Sequence, residues 1–356
     1  MIDPLPRFTS ADIKYWLAGD TQQNAPTGYA GSRWFSSGAD ALANVCNEVS
    51  TGYQRKIVIY IPGYFCGQSL NPLRMVNADI CFYSLTQDLQ PNYEHIANLM
   101  RLQKPDVFVY VHYFGRIVGQ SRIKDFANQN EILLIEDCAH IISPTLWPDW
   151  VGDYLIFSPH KIFPLPKLSI VFSRLKNSEP NKITTNFPYG WFARQIVRRV
   201  FPRRLSCDWS IVWSGDACVL ETRSPHKIVI RAAMKYLNDY AEILRRRSEN
   251  SISLKHKLSC ISGWRPLFEL SSDTTYIFTM ICDTRDIARR RSKLFNRNTQ
   301  LVAQWPDLPV EIRALPLSEK CIEVVERCLH FFIHHQLSQE VWLDEIDDAI
   351  SRETSK

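Results

Sequence analysis

The 356-residue sequence lacks several features that would assign it to a specialised class of protein. No apolar run approaches the length of about 20 residues that a membrane-spanning helix needs. The first ten residues, MIDPLPRFTS, contain neither the basic nor the apolar region of a signal peptide, so we expect a cytoplasmic protein. The sequence also lacks internal repeats and low-complexity segments. With 45% hydrophobic and 22% charged residues, it has the composition of an ordinary globular protein with a sizeable core.

The cysteine pattern argues against a disulfide-stabilised or metal-binding protein, and the charge balance does not indicate a nucleic-acid-binding protein. The ten cysteines show no C-x-x-C spacing, and several, such as Cys81, Cys282 and Cys328, lie within apolar stretches. We therefore interpret them as reduced, buried thiols and expect neither a disulfide framework nor a metal site. The net charge of +5 suits an anionic ligand but does not indicate nucleic-acid binding.

Short apolar runs alternate with helical periodicities between residues 55 and 172, which predicts a mostly parallel, doubly wound α/β sheet. The apolar run at 132–135 leads to Asp137, and the run at 154–157 leads to Lys161. Ligands of open α/β sheets bind beyond the carboxyl ends of the strands. We therefore expect Asp137 and Lys161 to face a common site.

An acid and a lysine at two strand ends have a specific chemical use. A lysine amine can form a Schiff base with an aldehyde, and a carboxylate can hold a pyridinium nitrogen in its protonated form. Together these groups suit pyridoxal 5′-phosphate (PLP). The alternative for each residue alone is structural: Asp137 caps a helix, and Lys161 is a solvated lysine at a strand end.

The order of motifs around these two residues is more specific. The sequence reads E-D-C-A-H at 136–140, G-D at 152–153 and F-S-P-H-K at 157–161. This order resembles the DegT/DnrJ/EryC1/StrS family of PLP enzymes, which are mostly sugar aminotransferases. The S-x-x-K spacing and the P-L-P at 164–166 resemble one branch of that family. One difference is that K-L-S at 167–169 replaces the usual Gly-Gly pair.

The resemblance implies a fold, a reaction and an assembly. The fold is type I of the PLP enzymes, with a large cofactor-binding α/β lobe at 1–215 and a smaller α+β lobe at 216–356, on which the N-terminal segment can also pack. The reaction is transfer of an amino group from an amino acid, commonly glutamate, to a nucleotide-linked keto-sugar. The assembly is a homodimer with the active site at the subunit interface.

The resemblance also assigns roles to individual residues. Lys161 is expected to carry the cofactor and then to act as the general base, and Asp137 is expected to hold the ring nitrogen. His140 is expected near the ring hydroxyl. The family serine that matches Ser158 contacts the cofactor phosphate. The predicted catalytic residues are therefore Lys161, Asp137 and His140.

A second phosphate contact is predicted at Ser37, Gly38 and Ala39, which precede a helical periodicity. The start of a helix offers unpaired backbone N–H groups that bind phosphate. In the family, S-G-[TR] cradles the cofactor phosphate here. Ala39 replaces the threonine or arginine, which removes a side-chain contact but keeps the backbone contacts. Alternatively, Ser37 simply caps the helix, and the two interpretations are compatible.

Aromatic residues follow another predicted strand end, where Tyr64 and Phe65 come directly after Pro62-Gly63. A family residue near this position packs on the pyridine ring. Phe65 or Tyr64 can stack in that way, and packing in the core is the alternative. His112 lies in a V-H-x-x-G pattern that also resembles the family, although a lone histidine at a strand end is more often structural.

The second half of the chain carries weaker motifs. The segment 191–204 is basic with interleaved aromatics, which fits an anionic-substrate surface, a membrane-surface contact or an ordinary solvated helix, the last being the simplest. A long helix is predicted from Ser224, as its N-cap, to Leu258, with its charges at the surface. W-P-D-L-P at 305–309 and the pair His335-Gln336 resemble further family elements.

Two other functions stay open from the sequence. The first is a related enzyme of the same fold with different chemistry, such as sugar dehydration, in which a histidine typically replaces the lysine. The second is a non-catalytic homologue that binds a ligand or a partner. Ala39 and the missing Gly-Gly pair keep this second alternative open, whereas Lys161 argues against the first.

Overall fold

The computed structural model describes residues 6, 9, 12, 31–141, 150–175, 187–200, 224–238, 240–259, 261–268, 276–296, 301–303, 308–313 and 318–354. The strands are β1 (Arg33–Phe35), β2 (Ile57–Pro62), β3 (Ala78–Tyr83), β4 (Val107–Val111), β5 (Leu133–Asp137), β6 (Tyr154–Phe157), β7 (Ser169–Ser173), β8 (Trp264–Pro266), β9 (Ile277–Cys282), β10 (Val302–Ala303) and β11 (Cys328–Phe332).

The helices are α1 (Gly38–Tyr53), α2 (Leu70–Leu73), α3 (Tyr93–Leu102), α4 (Gln120–Gln129), α5 (Tyr189–Val200), α6 (Lys227–Asn238), α7 (Tyr240–Leu258), α8 (Arg285–Phe295), α9 (Val310–Arg313), α10 (Ser318–Arg327) and α11 (Gln339–Thr354). The motif residues 305–307 lie outside the described residues.

The large sheet has the strand order β1-β7-β6-β5-β4-β2-β3. Strands β2 to β6 are parallel to one another, whereas β7 runs antiparallel to both of its neighbours, β6 and β1. Strands β2, β4 and β6 are buried at every position, because helices such as α1, α3 and α4 cover the sheet. The predicted mostly parallel α/β architecture is confirmed, with one antiparallel strand that the sequence did not predict.

A second, antiparallel sheet has the order β10-β11-β9-β8. Its core includes Trp264, Phe331 and Trp342, and residues of α7, α8 and α11 pack in the same cluster. All four strands follow residue 216, in line with the predicted smaller lobe. The predicted boundary between residues 215 and 216 itself lies outside the described residues, so the division into lobes at that point stays a prediction.

The structure differs in two ways from the prediction of one long helix from Ser224 to Leu258. The structure has two helices, α6 and α7, and α6 begins at Lys227. Ser224 is not its N-cap, because the Ser224 hydroxyl donates instead to the carbonyl oxygen of Trp34, at 2.9 Å. The prediction that the helix charges lie at the surface is wrong for Arg247, which is only 2% exposed.

The segment 191–204, which is basic with interleaved aromatics, is helical in its described part, up to residue 200. Helix α5 has Trp191 and Phe192 half-buried against the core, whereas Tyr189 and Arg194 are exposed. This arrangement is that of an amphipathic surface helix. Residues 201–204 lie outside the described residues.

The described cysteines are all free thiols. Within the described ranges, no group of three or more His, Cys, Asp and Glu side chains is arranged to hold a metal ion. Across the same residues, no helix combines the length and the apolar character needed to cross a bilayer.

Candidate active site

Asp137 and Lys161 lie at the ends of two neighbouring parallel strands. Strand β5 ends at Asp137, and β6 is followed by a single 3₁₀ turn, Pro159–Lys161. Both side chains line one pocket at the carboxyl edge of the sheet, where ligands of such folds bind. The other lining residues are Tyr64, Phe65, Cys66, Ser69, Val111, Tyr113, Ala139 and His140. The structure therefore brings together four predicted site residues.

The charge of Asp137 depends on its neighbours. Burial raises the pKa of this carboxyl above its ordinary value, and the positive charge of Lys161 is the main effect that opposes the rise. The Ala139 N–H donates to Asp137 Oδ1 at 3.0 Å and lowers the pKa further, as does His112. The backbone contact fits the structural interpretation of Asp137, but it leaves the carboxylate on the wall of the pocket.

His140 connects Lys161 to the surrounding aromatic residues. Its ring lies parallel to those of Phe114 and Tyr276, with centroid distances of 5.9 and 4.4 Å. Its Nδ1 accepts the backbone N–H of Phe114 at 3.2 Å, and its Nε2 lies 3.3 Å from Lys161 Nζ. Burial holds the pKa of His140 far below its ordinary value, so the ring is neutral. Because Nδ1 accepts a hydrogen bond, the neutral ring carries its proton on Nε2, so Nε2–H and a protonated Lys161 amine are both donors and their 3.3 Å approach is a contact rather than a hydrogen bond.

The predicted phosphate residues converge at the start of α1. Ser37 is the N-cap: its hydroxyl accepts from Asp40 N at 3.1 Å and donates to the Asp40 carboxylate at 2.6 Å. A Cβ atom on Gly38 would lie 3.0 Å from Ser158 Oγ, so the glycine lets the serine reach the helix start. Ala39 follows in the first turn.

The Ser158 hydroxyl is the strongest indication that this place accepts a ligand. The hydroxyl is buried, and none of the described residues hydrogen-bonds to it. A buried hydroxyl without a partner is costly and uncommon. The first N–H groups of α1 beside it lack partners within the helix. A phosphate group at this point would accept from both, so the residues fit the phosphate of PLP.

A buried pair behind the pocket was not predicted from the sequence. His112 Nε2 lies 2.8 Å from Glu136 Oε2, and both side chains are fully buried. Glu136 Oε1 also accepts the N–H groups of Val151 and Gly152, at 2.6 and 2.5 Å. A Cβ on Gly152 would lie 2.9 Å from a backbone oxygen of β5, which explains a glycine there. The E-D and G-D motifs contain Glu136 and Gly152, but they do not reveal that Glu136 pairs with His112.

The loop that replaces the family's Gly-Gly pair is held by His160. His160 Nδ1 lies 2.7 Å from the carbonyl oxygen and 3.2 Å from the backbone nitrogen of Leu168, and this contact closes the loop behind Lys161. Burial lowers the pKa of His160 to about 4, so the ring is neutral near pH 7. A proton-relay role for His160 has no support in these contacts.

Buried histidines around the site make stability depend on pH. Burial lowers the pKa of His330 to about 3, whereas an unfolded histidine titrates near pH 6.5. Between these values the unfolded chain binds more protons, so the stabilisation is complete above about pH 6.5 and decreases as the pH falls. The free energy of unfolding is expected to lose roughly 2 kcal/mol through His330 between pH 7 and pH 5.

Urea unfolding at the two pH values measures this loss. Between pH 7 and pH 5, the free energy of unfolding of the variant His330→Gln is expected to fall by roughly 2 kcal/mol less than that of the wild type. An unchanged pH dependence in the variant would exclude His330 as its source.

Residues 29–158 match the DegT/DnrJ/EryC1/StrS aminotransferase family. The match ends three residues before Lys161. No curated protein matches the chain. The predicted resemblance, the enzyme class of PLP-dependent aminotransferases and the cofactor are thus confirmed at the level of the family.

Solved structures with the same fold cover nearly the whole chain. A putative sugar aminotransferase, Spr1654 of Streptococcus pneumoniae in its PLP form, has a TM-score of 0.71 at 13% identity and covers 98% of this chain and 97% of its own. PseC of Helicobacter pylori, an aminotransferase of pseudoaminic acid biosynthesis, has a TM-score of 0.68 at 11% identity, with 91% and 87% covered. DesV of S. venezuelae has a TM-score of 0.64 at 15% identity, with 91% and 85% covered.

Proposed function

Because residues 29–158 match the DegT/DnrJ/EryC1/StrS aminotransferase family, we propose that the protein transfers an amino group from an amino acid to a nucleotide-linked keto-sugar. Glutamate is the expected donor. The observation that carries this proposal is the convergence of Lys161, Asp137 and His140 on one pocket, together with the buried Ser158 hydroxyl to which none of the described residues hydrogen-bonds. The neighbours PseC and Spr1654, described as an aminotransferase of pseudoaminic acid biosynthesis and a putative sugar aminotransferase, support the sugar as acceptor.

Each residue of the site has a distinct task in this reaction. PLP, when bound, supplies an aldehyde and an electron-accepting ring. Lys161 Nζ would hold the aldehyde carbon, and its free amine would be the general base that moves a proton between the donor's Cα and the cofactor. Asp137 holds the proton on the ring nitrogen. His140 Nε2–H would donate to the ring hydroxyl, and Phe65 or Tyr64 would pack on the ring.

Ser158→Ala gives a test in which stability and cofactor binding change in opposite directions. Removing a buried hydroxyl without a described partner is expected to leave the cofactor-free protein at least as stable. The affinity for PLP is expected to fall about tenfold, the equivalent of one hydrogen bond. Thermal unfolding without PLP and a spectrophotometric PLP titration measure the two effects.

The matched control is Ser169→Ala. The Ser169 hydroxyl is also buried, but it donates to the Phe157 carbonyl oxygen at 2.8 Å. Its loss is expected to cost about 1 kcal/mol of stability and to leave PLP affinity unchanged. If both variants bound PLP as the wild type does, the phosphate would not lie at Ser158.

The assembly and the location complete the proposal. We expect a homodimer in the cytoplasm, with a small net positive charge of +5 that suits the phosphates of a nucleotide sugar. Light scattering of the PLP-loaded protein tests the dimer, and a monomer would contradict it. Mass spectrometry of the product, with isotope-labelled glutamate as donor, tests the acceptor class.

The non-catalytic alternative predicts a different spectrum. Protein incubated with PLP is expected to gain a visible absorbance band from the lysine-bound cofactor. A protein that stays colourless at saturating PLP would support the binding function, for which Ala39 and the missing Gly-Gly pair were the sequence observations.

A further inference from the structure

Helix α7 carries three consecutive arginines in two different environments. Arg245 and Arg246 are exposed and form ion pairs with Glu242, at 2.8 and 2.7 Å. Arg247 points into the protein and is 2% exposed. An arginine is rarely buried to this extent, because its charge must leave water. Burial accordingly lowers the pKa of Arg247 to about 10, at which the guanidinium still carries its charge near pH 7.

The Arg247 guanidinium is hydrogen-bonded to both halves of the chain. Nη2 donates to the carbonyl oxygen of Ile162 at 3.1 Å, and Nη1 donates to that of Tyr276 at 3.2 Å. Ile162 directly follows Lys161 and lies beyond β6 of the large sheet. Tyr276 directly precedes β9 of the second sheet. A planar guanidinium presents donors in a fixed fork, so it sets the spacing between these two carbonyl groups.

One carbonyl group belongs to the residue that follows Lys161, and the other belongs to the residue whose ring stacks on His140. The Lys161 side chain starts one peptide unit before Ile162. The Tyr276 ring lies 4.4 Å from that of His140, parallel to it within 6°, and His140 Nε2 lies 3.3 Å from Lys161 Nζ. Arg247 therefore holds the backbone directly after Lys161. It also holds Tyr276, whose ring stacks on His140.

We propose that Arg247 is a positioning residue that fixes Lys161 and His140 for attachment of the cofactor. The proposal rests on the proposed function, because it takes Lys161 as the residue that binds PLP. Arg247 is not among the described residues that line the pocket, so we assign its effect to the contacts with Ile162 and Tyr276.

The test compares Arg247→Met with Arg246→Met, its exposed neighbour. Arg247→Met keeps much of the side-chain length and removes both hydrogen bonds. PLP affinity and the rate at which the visible band forms at saturating PLP are each expected to fall about tenfold or more, the scale of one or two lost hydrogen bonds. Arg246→Met is expected to match the wild type in both measurements.

A spectroscopic measurement on the cofactor-free protein distinguishes positioning from general stabilisation. Nitrogen-15 NMR of labelled histidines reports which ring nitrogen of His140 carries the proton, and loss of the signal in His140→Gln assigns it. In the wild type the proton is expected on Nε2. In Arg247→Met the signal is expected to shift or broaden, because the Tyr276 ring is no longer held against His140.

The outcomes separate this inference from the function on which it rests. A wild type that never forms the visible band contradicts the proposed function. A wild type that forms it, with a folded Arg247→Met that matches it in affinity, rate and His140 signal, overturns only the role of Arg247. If Arg247→Met does not fold, Arg247→Lys and Tyr276→Leu take its place. Wild-type affinity and rate in both of those variants would equally overturn the role.

Discussion

Replacing Lys161 with alanine is expected to abolish the visible band on addition of PLP and to lower the transamination rate by a factor of at least ~10⁴. The substitution removes both the amine that binds the aldehyde and the base that moves the proton. It also removes the positive charge that opposes the burial of Asp137, so the pKa of that carboxyl is expected to rise further. Absorbance spectra and single-turnover kinetics measure the two losses.

Lys167→Ala is the matched control, because Lys167 is an exposed lysine six residues further along the same loop. It is expected to keep the band and the rate. A Lys161→Ala variant that retained the band would mean that another lysine carries the cofactor.

Asp137→Asn is expected to lower the transamination rate roughly 10²- to 10³-fold while retaining the lysine-bound cofactor. An amide has nearly the shape of a carboxylate, but it has no charge to hold a proton on the ring nitrogen, and the ring then accepts electrons poorly. The visible spectrum after PLP addition and the rate with glutamate and a keto-sugar nucleotide measure the effect.

Asp153→Asn is the control for Asp137→Asn, because it makes the same change away from the pocket. Asp153 Oδ2 accepts the backbone N–H of Leu134 at 2.8 Å, at the opposite end of β5 from Asp137. This variant is expected to lose about 1–2 kcal/mol of stability and little activity. Equal losses of activity in both variants would indicate that Asp137 also acts only through structure.

Much of the fold was predictable because local patterns determine it. Apolar runs bounded by turn residues gave the parallel strands, and the E-D-x-A-H to S-x-x-K block fixed the strand ends where Asp137 and Lys161 meet. Ser37 as the N-cap of α1 followed from the helical periodicity after it. The antiparallel direction of β7 was not predictable, because strand direction depends on pairing with distant segments.

The surroundings of the site were mostly hidden from the sequence. Glu136 and His112 are 24 residues apart, and Arg247 reaches Ile162 across 85 residues, so no local spacing relates them. A run of three arginines on a helix reads as a solvated face, and burial of the third is decided by tertiary packing. The prediction of Ser224 as a helix N-cap was wrong for the same reason, because its hydroxyl donates to the carbonyl oxygen of Trp34, 190 residues earlier.

Reductive trapping identifies the residue that binds the cofactor without any assumption about the sugar. The wild-type protein is loaded with PLP, reduced with borohydride, digested and examined by tandem mass spectrometry. We predict a single pyridoxyl-phosphate modification, on Lys161. A modification on a different lysine, or none at saturating PLP, would contradict the assignment of this strand-end lysine as the centre of the active site.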